Sequence, residues 1–415
     1  MIQIICIGCK VHILVARQGE RDVVSRFDVI IAGAGPAGLS FARSLAGTGL
    51  KIGVVEKLPE KILANPPADG RDIALTHFSA RLLKELDVWP RFPDGSISMI
   101  REARVLNGTS SYFLHFDHRE TDKETLGYLV SNHLIRKALY EALGSFPNVK
   151  LITGLEVVSV TTEAAGGSVG LSDGQALEAS LIVAADSRFS TIRRNMGIAA
   201  SMRDFGRVAV VCQMGHERSH DNIAYECFHY EHTLAVLPLR GKTSSIVITL
   251  PTAASQAILN MDEAAFNRDV QHRFAARLGA MRLVGKRYSY PLVAVFANRF
   301  MATRFALIGD AAVGMHPVTA HGFNLGLRGQ NTLAGEIESA LNQQIDIGAS
   351  QVLERYQRKH RLASLPLYVA TNAIVKLYTD ENLPAKILRS GLLRLGNFVR
   401  PARLAIMRQL TESHL

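Results

Sequence analysis

Apolar and polar residues follow two different periods along this chain, and the changes of period predict its elements. Residues 29–32 and 52–55 are short, wholly apolar runs, which are typical of strands buried inside a parallel sheet. Residues 39–46 between them have the apolar spacing of a helix, and Gly47 and Gly49 predict where it ends. The start of the pattern therefore predicts a strand–helix–strand unit.

The same two periods continue through most of the chain. Apolar runs predict strands at 149–160, 168–171, 181–185 and 305–308, and residues 126–143 predict a strand leading into an amphipathic helix. Alternating patterns at 97–117, with Asn107-Gly108 as a hairpin turn, and across 207–251 predict antiparallel β-structure. Helical spacing predicts helices over 79–86, 261–281, 324–340 and most of 351–411.

These elements predict an α/β (α+β) fold. It consists of a Rossmann-like nucleotide-binding domain, an inserted antiparallel β-sheet domain that covers the substrate, and C-terminal helices. The nucleotide-binding domain is predicted to be discontinuous, at 27–96, 126–196 and 286–345, and the substrate domain to comprise 97–125 and 197–285. Residues 346–415 are predicted to form a helical region, and residues 1–26 an extension that is disordered or outside the fold.

The turn after the first strand carries Gly33, Gly35 and Gly38 in G-x-G-x-x-G spacing. In such a turn the first glycine permits a tight bend, the second lets a pyrophosphate approach the backbone, and the third lets the helix pack closely. The helix N-terminus offers N–H groups to the phosphates, and Glu56 falls where ribose hydroxyls are bound. The motif predicts a dinucleotide but does not separate FAD from NAD, and an ordinary βαβ unit with a Gly-rich turn is the alternative.

The stretch at 305–329 favours FAD. A buried strand delivers Gly309 and Asp310 at its C-terminal end, where ligands bind in open α/β sheets and where a carboxylate accepts from a ribityl hydroxyl. The chain then turns at Gly322 into a helix that starts near Asn324. The positive end of that helix suits a flavin, which needs positive potential beside its N1 and C2 carbonyl when it is reduced.

Together these motifs resemble those of the class A flavoprotein aromatic hydroxylases, the para-hydroxybenzoate hydroxylase-like group. Within that group the chain resembles the UbiH/UbiF-type branch of ubiquinone biosynthesis, and most of all the UbiM-type hydroxylases. The resemblance covers about residues 27–365, with supporting stretches at 70–89, 126–139, 224–251 and 290–300. The chain departs from the family pattern at Ser187, His321 and Val313, where the family has Gly, Gln and His.

The resemblance implies an FAD monooxygenase that hydroxylates the ring of a polyprenylated phenol in ubiquinone biosynthesis. Electrons come from NAD(P)H or another donor, O₂ reacts to give a flavin C4a-hydroperoxide, and no metal is needed. Two alternatives stay open: a hydroxylase of a small soluble aromatic acid, and a non-catalytic protein that keeps the nucleotide fold.

The resemblance also implies site residues by motif position. The FAD contacts are expected at Gly33, Gly35, Pro36, Ala37, Gly38, Glu56, Lys57, Arg71, Asn132, Val157, Asp310, Pro317, Gly322, Phe323 and Asn324. His316 and His321 are the candidate catalytic bases, because the pKa range of imidazole suits activation of a phenol. A histidine beside a loop is more often a structural hydrogen-bonding group than a base.

Composition adds limits on partners and location. The chain of 415 residues has 47 Lys and Arg against 37 Asp and Glu, a net charge of +10 that suits an anionic cofactor or an anionic membrane surface. No basic run or aromatic-basic module indicates nucleic acid. Cys6 and Cys9 form a C-x-x-C without a second pair, which favours incidental thiols in a reducing cytosol.

We therefore expect a cytoplasmic protein without a transmembrane span. Residues 366–411 mix apolar and basic residues. They predict either a helical cap with a solvated basic face or a docking surface for the inner face of a bacterial membrane or a biosynthetic complex.

Overall fold

Three β-sheets organise the part of the chain that the computed structural model describes, which is residues 25–107, 112–144, 146–229, 232–317 and 321–379. The strands are β1 Ser25–Ala32, β2 Ile52–Glu56, β3 Asp72–Leu75, β4 Ser98–Ile100, β5 Glu102–Asn107, β6 Phe113–Asp117, β7 Gly127–Ser131, β8 Val149–Thr153, β9 Val157–Thr162, β10 Gly167–Leu171, β11 Ala176–Ala184, β12 Ala200–His216, β13 Ile223–Phe228, β14 Thr233–Pro238, β15 Thr243–Pro251, β16 Met281–Ala297, β17 Met301–Ala302, β18 Phe305–Leu307 and β19 Val313–Gly314. The helices are α1 Pro36–Leu45, α2 Glu60–Ala64, α3 His77–Glu85, α4 Asn132–Leu143, α5 Thr191–Asn195, α6 Thr252–Asn260, α7 Glu263–Arg273, α8 His321–Asn342 and α9 Ser350–Thr379.

The first sheet is built around five parallel strands in the order β18-β11-β1-β2-β8. Their central residues, such as Ile30, Ile182 and Ala306, are fully buried, as expected for a parallel sheet with helices on its faces. The chain leaves β1 toward β2 and β8 on one side and returns to β11 and β18 on the other. The switch point between β1 and β11 therefore opens a crevice at the carboxyl ends of the strands, where ligands bind in such folds.

The second sheet has the order β19-β16-β12-β15-β14-β13-β5-β6, and its neighbours are antiparallel except for β13 and β5. Its outer face buries residues such as Ile246 and Ile248 in one cluster with Phe266 and Phe274, which belong to α7 and the turn after it. The opposite face, which we call the inner face, is turned toward the nucleotide-binding half. A Cβ placed on Gly70, in the loop before β3, would lie 2.4 Å from the ring of Tyr288 on this inner face.

The third sheet is small and lies between the two large ones. Its order is β3-β7-β4. Leu129 of β7 and Ile100 of β4 pack against Ala224 on the inner face of the second sheet. Gln213 of β12 donates from Nε2 to the carboxylate of Asp72 at 3.2 and 3.3 Å, which fixes the opposite side of the same interface.

The predicted fold class is confirmed, and two element predictions are wrong. The helix predicted over 261–281 is α7, which ends at Arg273, because Ala275 and Ala276 adopt positive φ angles of 53° and 51° and the chain then opens into β16. The strand predicted over 149–160 is two strands, since Gly154, with φ 79°, breaks it between β8 and β9. Helix α6, which packs on β12, β15 and β16, was not predicted.

The division into domains stays a prediction. Strand β16 runs through the expected boundary between 285 and 286, β4 pairs with β7 rather than with the second sheet, and β19 pairs with β16. Residues 1–24, the hairpin turn after Asn107 and the predicted helix beyond 379 lie outside the described residues. Among the described helices, none combines the length and the apolar character that crossing a membrane requires.

Candidate cofactor and substrate site

The glycine turn after β1 is shaped by contacts that no side chain would permit. Gly33 has a φ of 112°, and a Cβ there would lie 2.6 Å from the carbonyl oxygen of Ala185. A Cβ on Gly38 would lie 1.9 Å from the oxygen of Gly33, so α1 packs directly against the turn. A Cβ on Gly35, in contrast, would meet no atom within 4 Å. The first and third glycines therefore serve the fold, and the second leaves the backbone open to a ligand.

The N-terminus of α1 is suited to an anion. The N-cap residue is Gly35, which has no side chain to accept from the first N–H groups of the helix. Pro36 follows at the start of the helix, and the first turn contains no acidic residue. Its N–H groups and positive dipole end are thus available at the crevice between β1 and β11. Together with the open side of Gly35, this arrangement fits the pyrophosphate of a dinucleotide.

Glu56 holds the turn from the end of β2. Its Oε2 accepts from the N–H of Ala34 at 2.7 Å, and its Oε1 accepts from the N–H of Leu58 at 3.0 Å. Each carboxylate oxygen has a further lone pair, which leaves acceptors for ribose hydroxyls. Lys57, beside it, is exposed, and Val157 is buried at the start of β9. The segment between β8 and β9 passes close to Glu56, because the N–H of Leu155 donates to the Glu56 carbonyl at 3.2 Å.

Arg71 and Asn132 are brought together by Asp69. The Asp69 Oδ2 accepts from Arg71 Nη2 at 2.6 Å and from Asn132 Nδ2 at 2.7 Å. The Arg71 guanidinium also lies over the ring of Tyr290 at 5.1 Å, and the Tyr290 hydroxyl donates to the Asp69 carbonyl at 2.7 Å. The loop before β3 is thereby pinned to both β16 and α4.

Asp69 is held ionised in this cluster. Burial acts to raise the pKa of its carboxyl, but the charge of Arg71 and the hydrogen bonds from Arg71 and Asn132 outweigh burial and lower the pKa. The arginine side chain is 44% exposed, so it retains donors that face solvent. A phosphate contact for Arg71 is compatible with this geometry, and Asp69 is the partner that the sequence alone did not reveal.

Asp310 lies directly after β18, opposite the glycine turn. Its Oδ2 accepts from Arg188 Nη2 at 2.8 Å and from Arg188 Nε at 3.1 Å, so both contacts fall on one oxygen and Oδ1 is available to a hydroxyl. Gly309, with φ 60°, is in close contact with α1, since a Cβ there would lie 2.7 Å from the Cβ of Ala37. The two ends of the predicted FAD site therefore meet at the switch point.

Two arginines that sequence reasoning did not assign hold this part of the site. Arg188 also donates from Nη1 to the Val293 carbonyl at 3.1 Å, which ties the loop after β11 to β16. Arg193 is buried and donates to the carbonyl of Ala311 at 2.8 Å and to that of Arg188 at 3.2 Å. Both occur in the 186–194 segment, but nothing local in that segment indicates contacts across more than 100 positions.

Asn324 joins the start of α8 to the third sheet. Its Oδ1 accepts from the Thr76 N–H at 3.1 Å, and its Nδ2 donates to the Ala74 carbonyl at 2.9 Å. Gly322 and Phe323 in the same turn are partly exposed, Pro317 is exposed, and the first turn of α8 contains no acidic residue. Residues 318–320 lie outside the described residues.

The two candidate catalytic histidines are both buried. The His316 ring packs edge-on against Phe205 at 4.9 Å, and burial, together with the charge of Arg207, lowers its pKa to about 4. It is therefore neutral at pH 7 and weakly basic. His321 is the first residue of α8. The described cysteines, Cys212 and Cys227, are buried, and desolvation raises the pKa of each thiol to about 12.

The fold and this site define an FAD-binding flavoprotein. A family model described as an FAD binding domain matches residues 26–365, so the chain belongs to that family. Among solved structures, p-nitrophenol 4-monooxygenase PnpA from Pseudomonas putida superposes with a TM-score of 0.76 at 17% identity, covering 94% of this chain and 100% of that chain. This likeness concerns the fold alone.

Curated relatives place the chain within a narrower group. It is 47% identical over 388 residues to the ubiquinone hydroxylase UbiM of Neisseria meningitidis, covering 92% of this chain and 84% of that protein. It is 36% identical over 379 residues to the ubiquinone hydroxylase UbiL of Rhodospirillum rubrum, covering 91% of this chain and 86% of that protein. The family resemblance inferred from the sequence motifs is thereby confirmed.

Proposed function

We propose that this protein is an FAD-dependent monooxygenase that hydroxylates the aromatic ring of a polyprenylated phenol in ubiquinone biosynthesis. The observation that carries the proposal is the meeting of the Gly35 turn and Asp310 at one crevice, faced by the inner side of the second sheet. The names of the relatives at 47% and 36% identity support the substrate class.

Bound FAD would supply the activation of O₂ and the transfer of one oxygen atom to the ring. The protein's part is to bind, orient and exclude water. The N-terminus of α1 and Glu56 would hold the pyrophosphate and ribose, and Asp310 the ribityl chain. The N-terminal turn of α8, with Gly322, Phe323 and Asn324, would lie beside the flavin ring and stabilise negative charge on it.

The family resemblance implies NAD(P)H or another electron donor as the reductant, and NAD(P)H is the donor tested below. His321 is the preferred candidate for a group that moves a phenol proton, because His316 is too weakly basic at pH 7. His321→Ala is expected to lower hydroxylation without releasing FAD. Unchanged turnover in that variant would reject the role.

The test of the function begins with the absorption spectrum and FAD content of the purified protein. NAD(P)H oxidation and product mass are then measured with a short-chain polyprenyl phenol and, in parallel, with a small aromatic acid. A hydroxylated polyprenyl product supports the proposal, and a hydroxylated aromatic acid with no polyprenyl product supports the alternative substrate. A protein that stays colourless after incubation with FAD would contradict both.

We also propose that the protein binds peripherally to an anionic lipid surface. The support is the middle of α9, where Leu362, Leu365 and Val369 are 73%, 43% and 57% exposed, combined with a net charge of +10. In a flotation assay, the wild-type protein should rise with anionic liposomes. A variant with all three residues changed to Ser, and a variant lacking 385–415, should each bind less, and undiminished binding by both would remove the idea.

A further inference from the structure

The inner face of the second sheet is partly accessible at β13, β14 and β15. On β14 the outer-face residues Leu234 and Val236 are buried, whereas Ala235 between them is partly exposed. Glu226 on β13 and Val247 on β15 pair with Ala235 in register and are also partly exposed. Directly paired residues share one face of a sheet, so these three side chains lie side by side on the inner face, in a partly exposed patch that we call the recess.

This recess extends toward the cofactor site. One line of paired residues crosses five neighbouring strands: Glu226, Ala235, Val247, Val211 and Tyr288. At the far end of the line, Gly70, next to Arg71, lies against Val211 and Tyr288. With strands about 4.8 Å apart, Glu226 lies roughly 14 Å from Val211 along the same surface.

The recess is apolar on its covered side. Ala224, which packs against Leu129 and Ile100 of the third sheet, lies two positions before Glu226 on the same face of β13. Glu226 is thus about 7 Å further along the strand, beyond that contact. A carboxyl group is an unusual choice for an apolar surface, since burying it without a partner is costly.

Nearby charges face away from Glu226. Arg104 of β5 lies over the ring of Tyr225, which packs with the outer-face cluster, and Asp72 contacts Gln213, three strands away. Among the described residues, no charge or hydrogen bond offsets the desolvation of Glu226, and burial raises its pKa to about 8. Glu226 is therefore mostly protonated at pH 7 and has an O–H to donate.

We infer that Glu226 is a substrate-binding residue whose carboxyl group donates a hydrogen bond to an oxygen on the aromatic ring, while Ala235 and Val247 contact the apolar parts of the ligand. The inference rests on the proposed function for the chemical class of that ligand. A neutral donor in an apolar recess suits an uncharged phenol or its ether oxygens. It gives no compensation to the charge of an aromatic carboxylate, so Glu226 also selects against small aromatic acids.

Binding to the oxidised, FAD-loaded protein tests this without turnover, through the change in flavin absorbance on adding a short-chain polyprenyl phenol. Glu226→Leu removes the donor and should raise the Kd on the order of tenfold, the effect of one neutral hydrogen bond. Glu226→Gln keeps an N–H donor and should stay within about threefold of wild type. Glu163→Gln, at an exposed position, is the matched control.

The pH dependence separates donation from packing. The wild-type Kd should rise as the pH passes through about 8, where the carboxyl ionises, and the Kd of Glu226→Gln should stay constant. The infrared carbonyl absorption of the protonated acid should titrate near that pH in wild type and be absent from Glu226→Gln. If the Glu226 carboxyl instead titrates near the ordinary pKa of 4.5, the inference is overturned. This infrared result does not depend on phenol binding.

The two proposals fail in different ways. If Glu226→Leu contains full FAD and binds the polyprenyl phenol with the wild-type Kd, the role of Glu226 is overturned and the hydroxylase function is unaffected. Absence of phenol binding and hydroxylation by fully loaded wild type contradicts the proposed function instead.

Discussion

Replacing Gly35 by Ala tests whether the glycine turn serves a ligand or only the fold. Gly35 has φ −71° and ψ 177°, a conformation that Ala adopts without strain, and its added Cβ meets no protein atom within 4 Å. Alanine has less conformational freedom than glycine in the unfolded chain, and this should stabilise the folded variant by about 0.4–1 kcal/mol. Loss of a glycine N-cap costs a similar amount, about 0.5–1 kcal/mol, so the apoprotein should unfold within about 1 kcal/mol of wild type.

The same methyl group should strongly weaken FAD binding. It would keep the pyrophosphate from the N–H groups at the start of α1, and two charge-assisted hydrogen bonds at about 1.5 kcal/mol each sum to about 3 kcal/mol. That loss corresponds to a roughly 100-fold higher Kd. The assay is flavin fluorescence during titration of apoprotein with FAD, beside thermal unfolding of the same apoprotein samples.

Two further variants define the controls. Gly47→Ala places a Cβ in open space at an exposed position after α1. It should leave the Kd for FAD unchanged and, because alanine restricts the unfolded chain, stabilise the apoprotein by no more than about 1 kcal/mol. Gly38→Ala places a Cβ 1.9 Å from the Gly33 oxygen and should destabilise the apoprotein itself by about 3 kcal/mol. Wild-type stability together with the wild-type Kd for FAD in Gly35→Ala would refute a ligand-binding role for this glycine.

Three other outcomes follow from the contacts at the site and its support. Arg188→Ala should weaken FAD binding more than it lowers the free energy of unfolding, because it removes the two hydrogen bonds to Asp310 from a partly exposed position. Isothermal titration calorimetry with FAD checks this. Unchanged affinity for FAD would show that the Arg188–Asp310 pair serves only the fold. Tyr290→Phe should lower the free energy of unfolding by about 1 kcal/mol in urea titrations through loss of the bond to the Asp69 carbonyl, and a value near zero would mean that water replaces it. Burial lowers the pKa of His360 from 6.5 to about 4, so between these pH values the unfolded chain binds more protons than the folded protein. The free energy of unfolding should therefore fall as the pH drops from about 6.5 to 4, and the melting temperature of His360→Gln should depend less on pH than that of wild type. The same pH dependence of melting temperature in both proteins would contradict the lowered pKa of His360.

Short motifs predicted the two glycine turns because the geometry of each turn is local. Gly33 and Gly309 both adopt positive φ angles, which glycine accepts without strain, and each follows an apolar run that forms a strand of the parallel sheet. Helix α7 was predicted too long because apolar Leu278 and Met281 continue its pattern after the helix has ended, and both are buried in the same cluster. The pattern records burial there, not the backbone conformation.

The partners of the predicted residues escaped prediction because they come from distant positions. Arg188 reaches Asp310 across 122 positions, and Tyr290 reaches Asp69 across 221. Glu226 lies in an alternating strand pattern and looks like a solvent-facing residue in the sequence. Its apolar surroundings arise only when β13 is placed inside the second sheet, with the third sheet packed against the same face.

The insertion of β18 beside β11 has a consequence for the newly made chain. Strands β1 and β2 leave the ribosome early. Strand β18, which pairs with β11 on the far side of β1, and the Asn324 contact to Thr76, 248 positions apart, are made only after the second sheet has been synthesised from β5 to β16. The half-site at Gly35 therefore waits, with its sheet incomplete, through most of translation. A chain that stops before Asp310 carries a complete glycine motif and yet lacks the Arg188–Asp310 contact, so we expect stable flavin binding only once synthesis has passed Asp310.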